Sequence, residues 1–369
     1  MVSALGRLGV GVEREPGRLV VTGVDGRPRG GGRLYARQSG TTMRFISAMA
    51  LLGDGPVVVD GDEALRRRPH SGLVGALRQL GASVEPADDR PPLTITPAGL
   101  AGGHVAVDAR ASSQFATALL LVAPYAASDL TVEALGLRDD SYVALTLEVM
   151  ERWGAQASRT SPGSYLVRAG ATYSAREEEV EHDASAAAHL YALAAATSGS
   201  VTVENARPTS QPDWGMLDLL ASMGAAVTSG PGGVTVSSSG GLDGIDVSLA
   251  EMPDQVPTVA VLGALARGTT RIRDAAIARG HESDRLAVVA SGLRALGVPV
   301  EEQADGLVVT GGARMRTGRV PTHDDHRIAM AFAVLARALP GIEIEGPGCV
   351  AKTYPRFWDD LSALGLVVD

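Results

Sequence analysis

The sequence predicts an α/β protein of two similar domains. Three observations predict it: a phrase that recurs six times, short β-branched runs bounded by glycine, and polar helix starts recurring in phase. The phrase is a helix tail ending in an apolar residue plus Gly, followed by a β-like segment. Its copies are ALGRLGVGVE, ALRQLGASVE, VMERWGAQAS, LLASMGAAVT, GLRALGVPVE and DLSALGLVVD. Their glycines, Gly9, Gly81, Gly154, Gly224, Gly297 and Gly365, stand 68 to 73 residues apart. Each reads as the left-handed cap that ends a helix. RLVVTG (18–23) and GLVVTG (306–311) then read as second strands after a turn.

A unit of about 71 residues exceeds a solenoid repeat and fits an α/β module with two helices and several strands. Two groups of three modules make two domains, expected at 1–175 and 176–369. The break falls near the polar AGATYSAREEEVEHD (169–183), read as a crossover and loop. Six full modules need about 58 residues more than the 369 present, and the deficit falls at the front, since the first repeat glycine is already residue 9. The first repeat is therefore expected to be incomplete, through loss of its start or a start codon assigned too late.

Five polar clusters precede apolar helical runs: QSGTTMRF (38–45), ASSQFAT (111–117), HDASAAAH (182–189), MPDQVPT (252–258) and HDDHRIAM (323–330). Phe45, Ala48, Met49 and Leu52, and likewise Phe115, Ala118, Leu119 and Val122, recur at i, i+3, i+4, i+7 and predict buried helical faces. Such starts are either ordinary caps or, with their free N–H groups and positive dipole ends, anion sites. If the modules are related by rotation, the starts within each domain point one way, and two facing domains would enclose an anionic ligand.

Composition narrows the function. A net charge of −9 argues against a sequence-independent nucleic-acid binder, and 4% aromatic residues against base-stacking platforms. One cysteine, Cys349, excludes an internal disulfide framework and a multi-cysteine zinc site. The longest uncharged apolar stretch, 111–128, contains Ser112, Ser113, Gln114 and Pro124 and does not read as a membrane span. No signal peptide opens the chain. A cytoplasmic globular protein is expected. There is no HExxH, Walker lysine loop or GxSxG elbow, and Gly30-Gly31-Gly32 stands outside any dinucleotide fingerprint.

Of the 33 basic residues only Lys352 is lysine. It is either a leftover surface residue or a group whose compact ammonium does what the planar arginine fork cannot. Arg44, Arg68, Arg279, Arg285 and Arg327 join it as cations in apolar or helix-start contexts, where charge is costly unless paired. Asp254 follows Pro253 at a helix start, and with Glu282 it is an ion-pair partner or half of an acid/base pair. Asp324, Asp325 and His326 are adjacent and diverge on a helix start, which disfavours metal chelation.

SGTTMR, RRP, SSQ, the PDQ of MPDQVPT, HESDR, DDHR and AKT, in this order over essentially the whole chain, resemble the 5-enolpyruvylshikimate-3-phosphate synthase family of enolpyruvyl transferases. The resemblance implies two domains, each of three βαβαββ repeats around a pseudo-threefold axis (an inside-out α/β barrel). It implies a phosphoenolpyruvate site of Gly40, Arg68, Gln114, Arg285, Arg327 and Lys352. Ser112, Ser113, Gln114, Asp139, Asp254 and His281 would meet the shikimate. Asp254 would be the base on the 5-hydroxyl, and Glu282, with Lys352, would serve proton transfer at the enol carbon. It further implies small-molecule substrates, no metal or organic cofactor, no nucleic-acid or membrane partner, a monomer, and domain closure over the substrates.

Three departures accompany it. The family's opening PGSKS-type segment, with its catalytic lysine, is absent. Asp139 stands where the family has a serine for the 3-phosphate. His281 replaces a lysine, and Arg37-Gln38 replaces Gly-Asn. Transfer to shikimate 3-phosphate is the leading expectation. Elimination of water from an unphosphorylated cyclohexene acid and a non-catalytic binding protein are the alternatives.

Overall fold

Each repeat glycine follows a helix: Val2–Arg7, Ser71–Gln79, Ser141–Arg152, Met216–Ser222, Arg285–Ala295 and Phe357–Ala363. All six glycines have φ between 81° and 102°. Gly9 N–H donates to Gly6 O and Val10 N–H to Leu5 O, and the pattern returns at Gly81/Ala82, Gly154/Ala155, Gly224/Ala225 and Gly297/Val298. This double bond satisfies the last carbonyls, and the apolar residue before the glycine is buried in the core at Leu8, Leu80, Met223 and Leu296. The computed structural model describes residues 1–86 and 88–365. The β-like segment expected after Gly365 lies outside them.

The chain divides into two units, Met1–Glu178 and Glu179–Asp369, and each has its own apolar core. One repeat of the first unit runs Arg33–Tyr35, Gly40–Met49, Val57–Asp60, Glu63–Arg66, Ser71–Gln79, Ser83–Glu85 and Leu93–Thr96. Its first two strands are parallel across the first helix, and its last strand inserts antiparallel between the second and third. The same order returns in the sheets beginning at Gly103–Asp108 and Asp246–Ser248. Elsewhere the sheets have fewer strands: Gly11–Glu15 pairs with Arg18–Thr22, a three-stranded sheet follows Ala184–Ala196, and Gly318–Pro321 pairs with Ile342–Glu345.

Residues 171–183 carry no regular element, yet they are tied down. Tyr173 Oη donates to Leu121 O at 2.9 Å, Arg152 meets Glu178 at 2.8 Å, and Arg18 meets Glu177 at 3.1 Å.

The expected stripe on the first polar-start helix, Gly40–Met49, is wrong in detail. Phe45, Met49 and Leu52 are half-buried, while Thr42, Met43, Arg44, Ile46 and Ser47 are buried. The helix is covered on most of its circumference, so a one-sided pattern misplaces its inner face. Gln114–Val122 is buried at Phe115, Ala118, Leu119 and Val122 as expected. In the second unit Ala184–Ala196, Val256–Leu265 and His326–Ala338, one from each repeat, pack on one another. Ala184–Ala196 and Val256–Leu265 are nearly apolar all round, and His326–Ala338 is apolar between its polar first turn and Arg337 in its last. Among the described residues no helix is long and apolar enough to cross a membrane.

Candidate active site

The polar clusters are helix starts, but their caps differ. Ser39 Oγ accepts from Thr42 N–H at 3.1 Å, Asp183 from Ala186 N–H at 2.9 Å, and Asp325 from Arg327 N–H at 2.9 Å. Ser113 makes no side-chain cap bond; instead Ser112 Oγ accepts from Gln114 N–H at 3.3 Å. Val256–Leu265 is entered through the 3₁₀ turn Pro253–Gln255, so Asp254 is free of capping and is directed to cations.

In the first unit the starts of Gly40–Met49 and Gln114–Val122 meet. Arg44 donates to Gln114 Oε1 at 2.7 Å and lies 5.2 Å from the Phe115 ring centre. Gln114 Nε2 donates to Thr41 Oγ1 at 3.3 Å. Gly40 lets two guanidinium groups approach the backbone: a Cβ there would stand 3.0 Å from Arg44 Nη1 and 3.3 Å from Arg68 Nη1. Arg44, Arg68 and Ser112 are all buried. His70 was not singled out from the sequence, though its letter lies within RRRPHSGL. Its ring is buried, and burial, then the charges of Arg44 and Arg68, push its pKa down to about 4. Asp139 makes its contacts locally. Its Oδ1 accepts from Ser141 N–H at 2.9 Å and from Ser141 Oγ, at the start of Ser141–Arg152.

The second unit gathers the remaining expected residues around Arg285, which is 1% exposed. Its guanidinium reaches Asp254 at 2.5 Å, Glu282 at 2.8 Å, Asp325 at 2.9 Å and His281 Nδ1 at 2.9 Å. Lys352 Nζ donates to Glu282 Oε1, so Glu282 bridges the two cations. Asp254 also lies 3.5 Å from Arg327. Burial opposes the charge on Asp254, but Arg285, His281 and Arg327 outweigh it and hold this carboxyl well below the usual range. The same contest leaves Asp325 lowered, with Arg285 the opposing cation. His326 is pushed down to about 3 by burial and then by Arg327. Arg279 belongs to the scaffold: it binds Asp284, Glu302 and the carbonyls of Gln303 and Ala304.

His189, assigned no role in the sequence, is a buried polar group inside an Ala-rich run, and a lone polar letter there is its signal; Gln255, the Gln of PDQ, is likewise buried. Gln255 Nε2 donates to Asp213 Oδ1 at 2.7 Å, while His189 contacts Arg327.

Buried arginines interleaved with carboxylates, with Lys352 beside them, in repeated βαβαββ units are the groups of an enzyme for small anionic substrates. The chain belongs to the EPSP synthase family: the family described as EPSP synthase (3-phosphoshikimate 1-carboxyvinyltransferase) matches residues 1–361. It is 43% identical over 368 residues to the 3-phosphoshikimate 1-carboxyvinyltransferase of Syntrophobacter fumaroxidans, covering 98% of this chain and 87% of that one. It is 40% identical to that of Methanoculleus marisnigri, covering 98% and 86%. In three dimensions it is similar to the EPSP synthase of Acinetobacter baumannii, with a TM-score of 0.80, 27% identity, and coverage of 100% and 87%.

Proposed function

We propose that this protein transfers the enolpyruvyl group of phosphoenolpyruvate to the 5-hydroxyl of shikimate 3-phosphate, releasing phosphate. The observation that carries the reading is the Arg285 cluster. It holds three carboxylates and the only lysine of the chain in one hydrogen-bonded set, in a protein 43% identical to a 3-phosphoshikimate 1-carboxyvinyltransferase. The reaction needs a base for the hydroxyl, an acid and base for the enol carbon, and cations for a phosphate and a carboxylate.

Asp254 is ionised and accepts the hydroxyl proton as that oxygen bonds to C2 of phosphoenolpyruvate. The Lys352–Glu282 pair, whose exchangeable proton is on the Lys352 ammonium, gives a proton to C3, and a tetrahedral ketal forms. The bond from C2 to the phosphate oxygen then breaks, and C3 returns its proton to the same pair. Gly40, Arg68, Gln114, Arg285, Arg327 and Lys352 are assigned to phosphoenolpyruvate. Ser112, Ser113, Gln114, Asp139, Asp254 and His281 are assigned to the shikimate. The expected domains, 1–175 and 176–369, are part of the reading, which carries with it a cytoplasmic, monomeric enzyme.

Phosphate release by the purified protein is the test. Release that requires both phosphoenolpyruvate and shikimate 3-phosphate supports transfer. Consumption of shikimate alone, with no release, overturns it in favour of elimination.

A further inference from the structure

Three helices, one from each repeat of the second unit, meet at an imidazole. His189 lies on Ala184–Ala196 and is 1% exposed. Its Nδ1 is 3.2 Å from Thr258 Oγ1 on Val256–Leu265, and its Nε2 is 3.3 Å from Arg327 Nη1 on His326–Ala338. The Phe357 ring closes the pocket edge-on, with centroids 6.4 Å apart.

The contacts settle the tautomer. A guanidinium has only donors, so Nε2 must offer its lone pair to Arg327. The proton is then on Nδ1 and goes to the threonine oxygen. Burial, followed by the charge of Arg327, holds the ring neutral.

We propose that His189 is a positioning residue for anion binding: as a neutral acceptor it fixes the Arg327 guanidinium without cancelling its charge. The proposal rests on the reading that Arg327 binds phosphoenolpyruvate. Arg285 and Arg327 differ in how they are held. Arg285 faces three carboxylates. Arg327 is fixed by two neutral acceptors, Ser185 O at 3.2 Å and His189 Nε2 at 3.3 Å. Its one carboxylate among the described residues is Asp254 at 3.5 Å, and its Nε–H is buried with no partner among them. A carboxylate at position 189 would hold the fork as firmly, but it would compete with an incoming phosphate or carboxylate. A neutral lone pair orients the fork and leaves its charge for the ligand.

Two near-isosteric variants separate the contacts. In His189→Gln the amide oxygen reaches the place of Nε2, so Arg327 keeps its acceptor. In His189→Asn the shorter amide reaches only the place of Nδ1 and Thr258. Both keep a buried amide, and thermal melts check that both fold. His189→Asn is expected to raise the KM for phosphoenolpyruvate about tenfold or more, as for a lost hydrogen bond to a charged group. Its kcat and its KM for shikimate 3-phosphate are expected to stay near wild type, and His189→Gln to stay near wild type throughout. Equal effects of the two variants on the phosphoenolpyruvate KM, or none, overturn the proposal. Nitrogen-15 NMR of the histidine rings reads the second consequence: protonated Nδ1 and bare Nε2, in a signal that His189→Gln removes. A proton on Nε2 overturns the proposal whether or not the enzyme turns over. Failure of the wild-type protein to release phosphate counts against the transfer reading alone.

Discussion

Asp325 binds Arg285 with both carboxylate oxygens, at 2.9 and 3.3 Å, and neither side chain reaches solvent. The same carboxylate accepts from Ser283 Oγ at 2.9 Å and caps the helix that begins at His326. One residue therefore sets the positions of Arg285 and Arg327 together. Removing one partner of a buried pair leaves an uncompensated charge, at a cost of about 3 kcal/mol or more. Asp325→Ala is expected to lose about that much in urea denaturation and nearly all activity. Asp325→Asn keeps the cap and loses only the charge, so it should fall between wild type and alanine. Equal stability of the two variants would show that the ion pair, not the cap, is what matters.

Asp60 is the acid-sensitive anchor of the first unit. Burial alone would raise its pKa, but Arg66 at 2.7 Å, Arg33 at 2.5 Å and the Gly61 N–H lower it to about 2. A carboxyl lowered in the folded state contributes stability above its unfolded pKa of about 4. That contribution is lost as pH falls from about 4 through 2. Both arginines are about half exposed, so solvent screening reduces the effect to about 1 kcal/mol. Melting of wild type and Asp60→Asn between pH 2 and 6 should give curves that differ above pH 4 and converge below it. Parallel curves would contradict the assignment.

Legibility followed periodicity. The six glycines were readable because a Schellman-type turn needs a left-handed residue, which favours glycine, and that demand returns with every repeat. The cations were readable because DDHR, HESDR and AKT place charge beside apolar runs. What escaped were contacts made between helices. The inner face of Gly40–Met49 depends on covering from several sides, which one stripe of letters does not encode. His70 directly follows RRP and His189 closes HDASAAAH, and their meaning comes from Arg44, Arg68, Thr258 and Arg327, which only the fold brings near. Asp325 was read as part of a charged triplet. That it is the buried carboxylate of the three, bridging two arginines, depends on a partner 40 residues away.

Lys352 decides between a surplus cation and a chemical one. Its ammonium donates to Glu282 Oε1 while Arg285 occupies Oε2. Lys352→Arg preserves charge and reach but replaces a compact point charge with a planar fork. If the ammonium serves proton transfer beside Glu282, kcat should fall about a hundredfold, the scale of general acid–base catalysis, with little change in melting temperature. An unchanged kcat in Lys352→Arg would make the lysine an interchangeable cation and remove it from the proton path.

Asp139 bears on the acceptor. Its carboxylate receives both Ser141 groups at the start of Ser141–Arg152, so it stabilises that turn. Asp139→Ala should cost about 1 kcal/mol, typical of a lost helix-start acceptor, and Asp139→Ser should recover much of it. The kinetic effect runs the other way. A negative side chain assigned to the shikimate repels a 3-phosphate, so Asp139→Ser should lower the KM for shikimate 3-phosphate several-fold and leave that for phosphoenolpyruvate unchanged. The sign is diagnostic, because a variant that merely loosens the turn would raise the acceptor KM. A raised KM in Asp139→Ser, together with normal stability, would mean that the aspartate helps the acceptor bind, and its assignment as a charge opposing the phosphate would fall.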